Sequence, residues 1–419
     1  GNGETGDVSD GNGETGDVSD GDGETGDVSG PDSEASVSGN DIAVYGVAAT
    51  ATGTLTMEGD SGSYSYDAEN DVITVKNGAN LTFHSADGYG AENPSQTRIY
   101  VEKDAKATLT LDGVYINVSD KAVSPLEIAE DSTGAVSVVL KGSNVLTAGE
   151  KAAGIQKNST AEGILTISGS GTLNAQGGEY GAGIGGGYCG VGSNITITGG
   201  IITAIGGSYG AGIGGGFWGG GSNITISGGE VTATGGYGGA GIGGGYCGVG
   251  SNITISGGII TATGGSCGAG IGGGYSRDGN DISISGGTVT ATEGYRGAGI
   301  GGGNLGSTGK VTITGGSVKT TNGALTGVTN GTDNVYYTVV DLTDEYGMEA
   351  AVTDVSETAY GMKDVMTDAD GKIYMYLPAD ENGTTIVFGT HFYFGTVSAE
   401  AGADNRLTRG TECKYSLLV

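Results

Sequence analysis

The chain is short of what an ordinary globular core needs. Its 419 residues include only 5 phenylalanines and 4 prolines, too few of either for two or three conventional domains of that total length. Basic residues are scarce as well. Seventeen Lys and Arg stand against 48 Asp and Glu, a formal net charge of −31, so the electrostatic footprint of a nucleic-acid or anionic-lipid binder is missing. The four cysteines, Cys189, Cys247, Cys267 and Cys413, do not make a disulfide scaffold. No stretch has the apolar length of a membrane-spanning helix. With no signal peptide at its start and no anchor at its end, the sequence reads as a mature product or an excised piece of something longer.

What is abundant is glycine, 92 residues in all, and it is periodic. Gly-Ala-Gly-Ile-Gly-Gly-Gly recurs five times with its isoleucines at Ile184, Ile213, Ile242, Ile271 and Ile300, a spacing of 29 residues without a slip. A fixed period of this size means one supersecondary unit stacked on copies of itself. From Asn223 one unit reads Asn-Ile-Thr-Ile-Ser, Gly-Gly, Glu-Val-Thr-Ala-Thr, a glycine link, Ala-Gly-Ile-Gly-Gly-Gly and a second link. The runs are short, β-branched and closed by glycine, which favours strands over helices. Side chains alternate across a strand. Ile224, Ile226, Val231, Ala233, Ala240 and Ile242 are therefore expected inside, with Thr225, Ser227, Thr232 and Thr234 outside. The expected fold is all-β: a right-handed parallel β-helix with three short strands per 29-residue coil. Some ten rungs would make a rod roughly 45 to 50 Å long at ~4.8 Å per rung. Asn194, Asn223 and Asn252 would stack in a ladder continued by Asp281 and Lys310. Cys189 and Cys247, two periods apart, would be held too far apart to bridge, as small hydrophobes at a corner.

The chain reads as three domains. Residues 1–39 hold three near-copies of Gly-Asn-Gly-Glu-Thr-Gly-Asp-Val-Ser-Asp and carry 11 acidic and no basic residues; they read as a disordered acidic linker. Residues 40–325 form the β-helix. Residues 326–419 lose the period, and Tyr336–Val340, Lys372–Leu377 and Thr385–Phe388 mark strands of a β-rich, antiparallel module able to cap the open end of the helix. Asp368-Ala369-Asp370-Gly371 is a turn before one of them, without the distal Glu of a calcium loop.

The segments Gly-Ser-Asn-Ile-Thr-Ile-Ser-Gly-Gly, Val-Thr-Ala-Thr-Gly-Gly and Gly-Ala-Gly-Ile-Gly-Gly-Gly resemble the glycine-rich repeats of surface and secreted proteins of clostridia and related gut Firmicutes. The run from Asp364 to Pro378 resembles a module that often follows them. The rungs around Ala107 to Asn174 are similar to carbohydrate-binding parallel β-helix domains, which bind polysaccharide and calcium. The resemblance implies an extracellular protein, secreted or displayed on a bacterial surface, with polysaccharide or host glycan as partner. It leaves calcium open as a ligand and places no metal residue.

Two faces offer candidate sites. On one, Gly183, Gly212, Gly241 and Gly270, together with Gly185 and its copies, would leave a floor of bare backbone, and Tyr188, Phe217, Tyr246 and Tyr275, with Trp218 adjacent, would run beside it as a ring ladder. Rings flanking a flat floor suit a sugar chain, because aromatic faces stack on pyranose faces; the same rings also serve as a structural ladder packed on itself. On the other, the pairs Thr232/Thr234, Thr261/Thr263 and Thr290/Thr292 form an array like that of ice-binding solenoids, broken by Ile205. Catalysis is not expected. Glu230, Arg277, Asp278, Asp281, Glu293 and Arg296 are scattered singly, and His84 and His391 lie outside the strict repeats without an evident partner, whereas hydrolysis needs paired acid and base groups held in a groove. The expected role is non-catalytic binding or adhesion through a flat face. The alternative is a structural stalk or a unit that self-associates through its glycine faces.

Overall fold

The structure, a computed structural model, describes residues 50–158, 162–321, 325, 328–330, 335–344, 346–355, 362–377, 385–389, 394–398 and 404–409. The acidic linker, His391 and Cys413 lie outside the described residues. The chain divides into residues 1–46 and 47–419, and the coils and the C-terminal module all belong to the second of these units.

Alternation sets the coil. Ile224, Ile226, Val231, Ala233, Ala240 and Ile242 are all fully buried, while Thr225, Ser227, Thr232 and Thr234 keep partial exposure. Each buried Ile or Val contributes about 1.5–3 kcal/mol, and the identical layer repeats in the coils above and below. Parallel pairing holds the layers in register: Leu165, Ile195, Ile224, Ile253, Ile282 and Val311 are successive partners. So are Ile155, Ile184, Ile213, Ile242, Ile271 and Ile300. The result is an all-β parallel helix of about eight turns with coils of ~29 residues.

The coil departs from three equal strands. Its first two runs belong to one 15-stranded sheet, and in later coils they fuse into single 14-residue strands, Gly221–Thr234, Gly250–Thr263 and Gly279–Thr292. The Gly-Gly between them is a bulge rather than a chain-breaking turn: the register shifts there, and the second glycine takes φ of 90°, 92° and 86° at Gly229, Gly258 and Gly287, values that cost glycine nothing. The third run shrinks to two residues, such as Ile242–Gly243, in a separate 10-stranded sheet. The asparagine ladder forms, with the Asn223 amide donating to Asn194 at 2.9 Å and that of Asn252 to Asn223 at 3.2 Å. Asn194, Asn223, Asn252 and Asp281 all sit near φ 50–55°, the left-handed region that Asn and Asp tolerate best.

Both ends are closed. Ahead of the coils, Leu55–Gly59 pairs antiparallel with Asn80–Ser85, and Tyr64–Asp67 with Val72–Val75, so fewer coils fit than the ten expected. Beyond the last coil, Tyr336–Thr343 pairs antiparallel with Lys372–Leu377 and parallel with Arg406–Thr408. This module has its own core around Val340, Leu342, Ile373 and Met375, and it sits on strand Val311–Thr320. The Tyr374 amide donates to Ser317 Oγ at 3.0 Å, Lys319 Nζ pairs with Asp368 at 3.1 Å, and Tyr376 is buried in the helix core. Asp368–Gly371 makes the expected turn, with Asp368 Oδ1 accepting the amides of Asp370 and Lys372 at 3.0 Å.

Candidate functional site

Two loops flank the short third strand, and one backbone hydrogen bond repeated in every coil laces them together. The amides of Tyr188, Phe217, Tyr246, Tyr275 and Asn304 donate to the carbonyls of Lys151, Tyr180, Tyr209, Gly238 and Cys267, each at 2.8 Å. The acceptors are also spaced by 29 residues, so two columns of side chains rise side by side. One runs Tyr188, Phe217, Tyr246, Tyr275, Asn304. Its companion runs Lys151, Tyr180, Tyr209, Gly238, Cys267, Arg296.

The rings of both columns interlock. Within the first, Tyr188 stacks on Phe217 and Phe217 on Tyr246 with centroids 5.7 Å apart, and Tyr246 stacks on Tyr275 at 5.2 Å. Tyr180 stacks on Tyr209 at 5.5 Å, and both meet Phe217 edge-on, the geometry that the ring quadrupole favours. Trp218 lies on Phe217 at 4.6 Å yet is 59% exposed. Its column, Cys189, Trp218, Cys247, Ser276, Leu305, is left-handed throughout, φ 56–68°. Cys189 in that corner column is exposed and Cys247 half-buried, and Cys189, Cys247 and Cys267 are free.

Between the columns opens a cleft of about 600 Å³ lined by Glu150, Lys151, Tyr180, Tyr188, Tyr209, Phe217 and Tyr246. A second, of about 350 Å³, shares Tyr246 and is lined by Tyr237, Ser266, Cys267, Tyr275, Tyr295, Arg296 and Asn304. They adjoin where Gly238 carries no side chain: a Cβ there would fall 2.2 Å from the Tyr246 ring. The charge of Glu179 raises the Tyr180 phenol above its usual pKa, and burial raises that of Tyr246. Lys151 Nζ lies 5.8 Å from the centre of the Tyr188 ring, a cation–π distance.

The glycine floor is corrected. Gly183, Gly212, Gly241 and Gly270 are buried, because the backbone of the second strands packs directly against them. A Cβ on Gly241 would meet Gly270 O and Thr263 N at 2.7 Å and Ala233 O at 2.9 Å, all backbone. These glycines permit close approach of three chain segments and expose no platform. The rings, by contrast, are brought together as expected. Lys151, Tyr180, Tyr209, Tyr237 and Arg296 were not foreseen beside them; the signal for most of them was the same 29-residue spacing, hidden by the change of residue type along the column.

Other candidates are small. Thr232, Thr261 and Thr290 stand in register, as do Thr234, Thr263 and Thr292, but Ile205 ends one column and Lys319 the other. His84 does have partners: Nδ1 lies 2.9 Å from Asp112 O, and Nε2 3.9 Å from Glu58. Among the described residues no cluster of three or more His, Cys, Asp or Glu could hold a metal ion, and no helix is long and apolar enough to cross a membrane.

No curated protein and no solved structure matches the chain. Five stretches, residues 165–188, 195–217, 224–246, 253–275 and 282–304, match the family described as Beta helix repeat. Each begins at an inward Leu or Ile of the first strand and ends on the ring column, at Tyr188, Phe217, Tyr246, Tyr275 or Asn304. Matched repeats and stacked coils coincide, and the chain is a β-helix repeat protein.

Proposed function

We propose that this is a non-catalytic extracellular binding protein, secreted or displayed on a bacterial surface, whose ring columns hold a polysaccharide or host glycan. The observation that carries the reading is the open 600 Å³ cleft with five aromatic rings and a Glu–Lys pair in its wall. Most ring faces are spent on each other, so a sugar meets ring edges, phenolic hydroxyls and the carboxylate of Glu150, with free ring surface at Tyr188 and Trp218, which are 44% and 59% exposed. Apolar patches of pyranose pack on such rings while the polar groups fix orientation. The extracellular placement rests on the resemblance of the repeats to those of bacterial surface proteins.

A glycan array followed by titration, with and without calcium, tests the reading. Tyr188→Ala/Trp218→Ala should melt like the parent and bind at least tenfold more weakly. Equal binding by that variant, or no binding to any glycan, overturns the proposal. A stalk is the second reading, favoured by the mutual stacking of the rings; it gains if no glycan binds while Phe217→Ala lowers the melting temperature.

A further inference from the structure

The ring surface is uneven in charge. Between residues 158 and 309 the sequence contains only two basic residues, Arg277 and Arg296, and both stand at the same end of the ring columns. Arg296 lines the second cleft, with its guanidinium 5.4 Å from the centre of the Tyr295 ring. Arg277 reaches back across the first column, and its Nε donates to Cys247 O at 3.0 Å, beside Tyr246. Both side chains are exposed, and among the described residues neither forms an ion pair. Neighbouring Asp278 turns its carboxylate to the Ser307 amide at 2.7 Å. No carboxylate lines this cleft, whereas the first has Glu150 in its wall and Glu179 beside Tyr180.

We infer that the second cleft recognises an anionic group, a carboxylate or a sulfate, carried by a sugar chain that continues along the rings into the first cleft. This rests on the glycan reading and narrows it to an acidic polysaccharide. Arg296 takes the anion through the fork of N–H donors that matches its planar oxygens. Tyr246 and Tyr275 pack against the ring that bears it. At the far end Lys151 is 145 residues, five periods of 29, from Arg296 in the same column, roughly 24 Å at ~4.8 Å per rung. A chain of several sugars spans that distance with a cation at each end. The acidic protein as a whole repels a polyanion, so binding of one requires a local site of this kind.

Three probes separate the possibilities: soluble neutral dextran, polygalacturonate and dextran sulfate, each titrated by calorimetry at low and moderate salt. The parent should bind polygalacturonate or dextran sulfate, more weakly as salt rises, since these contacts are exposed and screened; the two polymers tell carboxylate from sulfate. Arg277→Gln/Arg296→Gln, at exposed positions away from the core, should melt as the parent does and lose at least tenfold in affinity for the acidic polymer. Binding of the neutral polymer alone, or undiminished binding of the acidic one by the double variant, overturns the inference and leaves the glycan reading standing. Binding of none of the three, combined with an empty glycan array, removes both.

Discussion

At the residue scale, Lys157 is where the chain breaks its own pattern. It ends the strand Ile155–Lys157, directly beside Ile128, which in turn pairs with Val101, so it occupies an inward position. It is 2% exposed, and its Nζ has no hydrogen-bond partner. Burial without a partner disfavours the charged form and pushes the Lys157 pKa down to about 8. An unfolded lysine titrates near 10.4, so between those values the unfolded chain binds more protons and stability rises with pH. Below pH 8 the strain is fully present, on the order of 3 kcal/mol. The slope reverses once tyrosines titrate: the buried Tyr376 phenol is pushed up to about 12, so above about pH 10 the unfolded chain loses that proton first. The urea midpoint of the parent should therefore climb between pH 7.5 and 9.5. Lys157→Met should be more stable by on the order of 3 kcal/mol at pH 7 and lose most of that advantage by pH 9.5. Equal midpoints at pH 7 would show that the ammonium reaches solvent.

At the element scale, the coil is set by two kinds of glycine. Gly229 and its copies are needed for their positive φ at the bulge; Gly241 is needed because backbone fills the space of its side chain. Gly241→Ala must push apart the third strand and two second strands, and overpacking of that order costs about 1–3 kcal/mol or more. Gly90→Ala is the control: its Cβ would meet nothing within 4 Å, and loss of unfolded-state freedom makes the change neutral or stabilising by up to about 1 kcal/mol. Urea denaturation of both variants reads the contrast, and equal midpoints would mean that the third strand is loosely held. The same pair of glycines marks how far the sequence could be read. Alternation placed Ile224 to Ile242 correctly because the 2-residue period of a strand is local. It misplaced Gly241, because outward from the short third strand is not outward from the coil when second-strand backbone packs against that side. A hint was present: the side-chain positions outside the first two strands vary among Thr, Ser, Asn, Gln, Glu and Ile, whereas this one is glycine in all five copies. A position held empty in every copy signals contact, not openness. The ring ladder was legible from spacing alone, but the lacing bond from Tyr246 to Tyr209, which brings two columns together, joins residues 37 apart and has no sequence signature.

At the scale of the whole described unit, both ends of the stack are occupied, which bears on self-assembly. Parallel coils expose unpaired strand edges at each end, and such edges template addition of another chain. Here Tyr64–Asp67 and Leu55–Gly59 cover one end in antiparallel fashion, and the C-terminal module covers the other. Its hold on the last coils is spread over several points. Besides the Ser317 and Lys319 contacts, the loop around Lys363 and Asp364 reaches three bulges: Lys363 O accepts the Gly287 amide at 2.6 Å, Asp364 Oδ2 accepts that of Gly258 at 2.9 Å, and Lys363 Nζ donates to Ser227 O at 2.7 Å. With the glycine face buried and both ends closed, the association routes expected from bare glycine surfaces are gone. The intact chain should therefore scatter light as a monomer from micromolar to millimolar concentration. A chain ending at Thr321 loses Tyr376 from the core and uncovers Val311–Thr320; it should unfold at lower urea and associate as concentration rises. If the truncated chain stays monomeric with an unchanged midpoint, the module is a passenger rather than a cap, and the last coil must close its own edge.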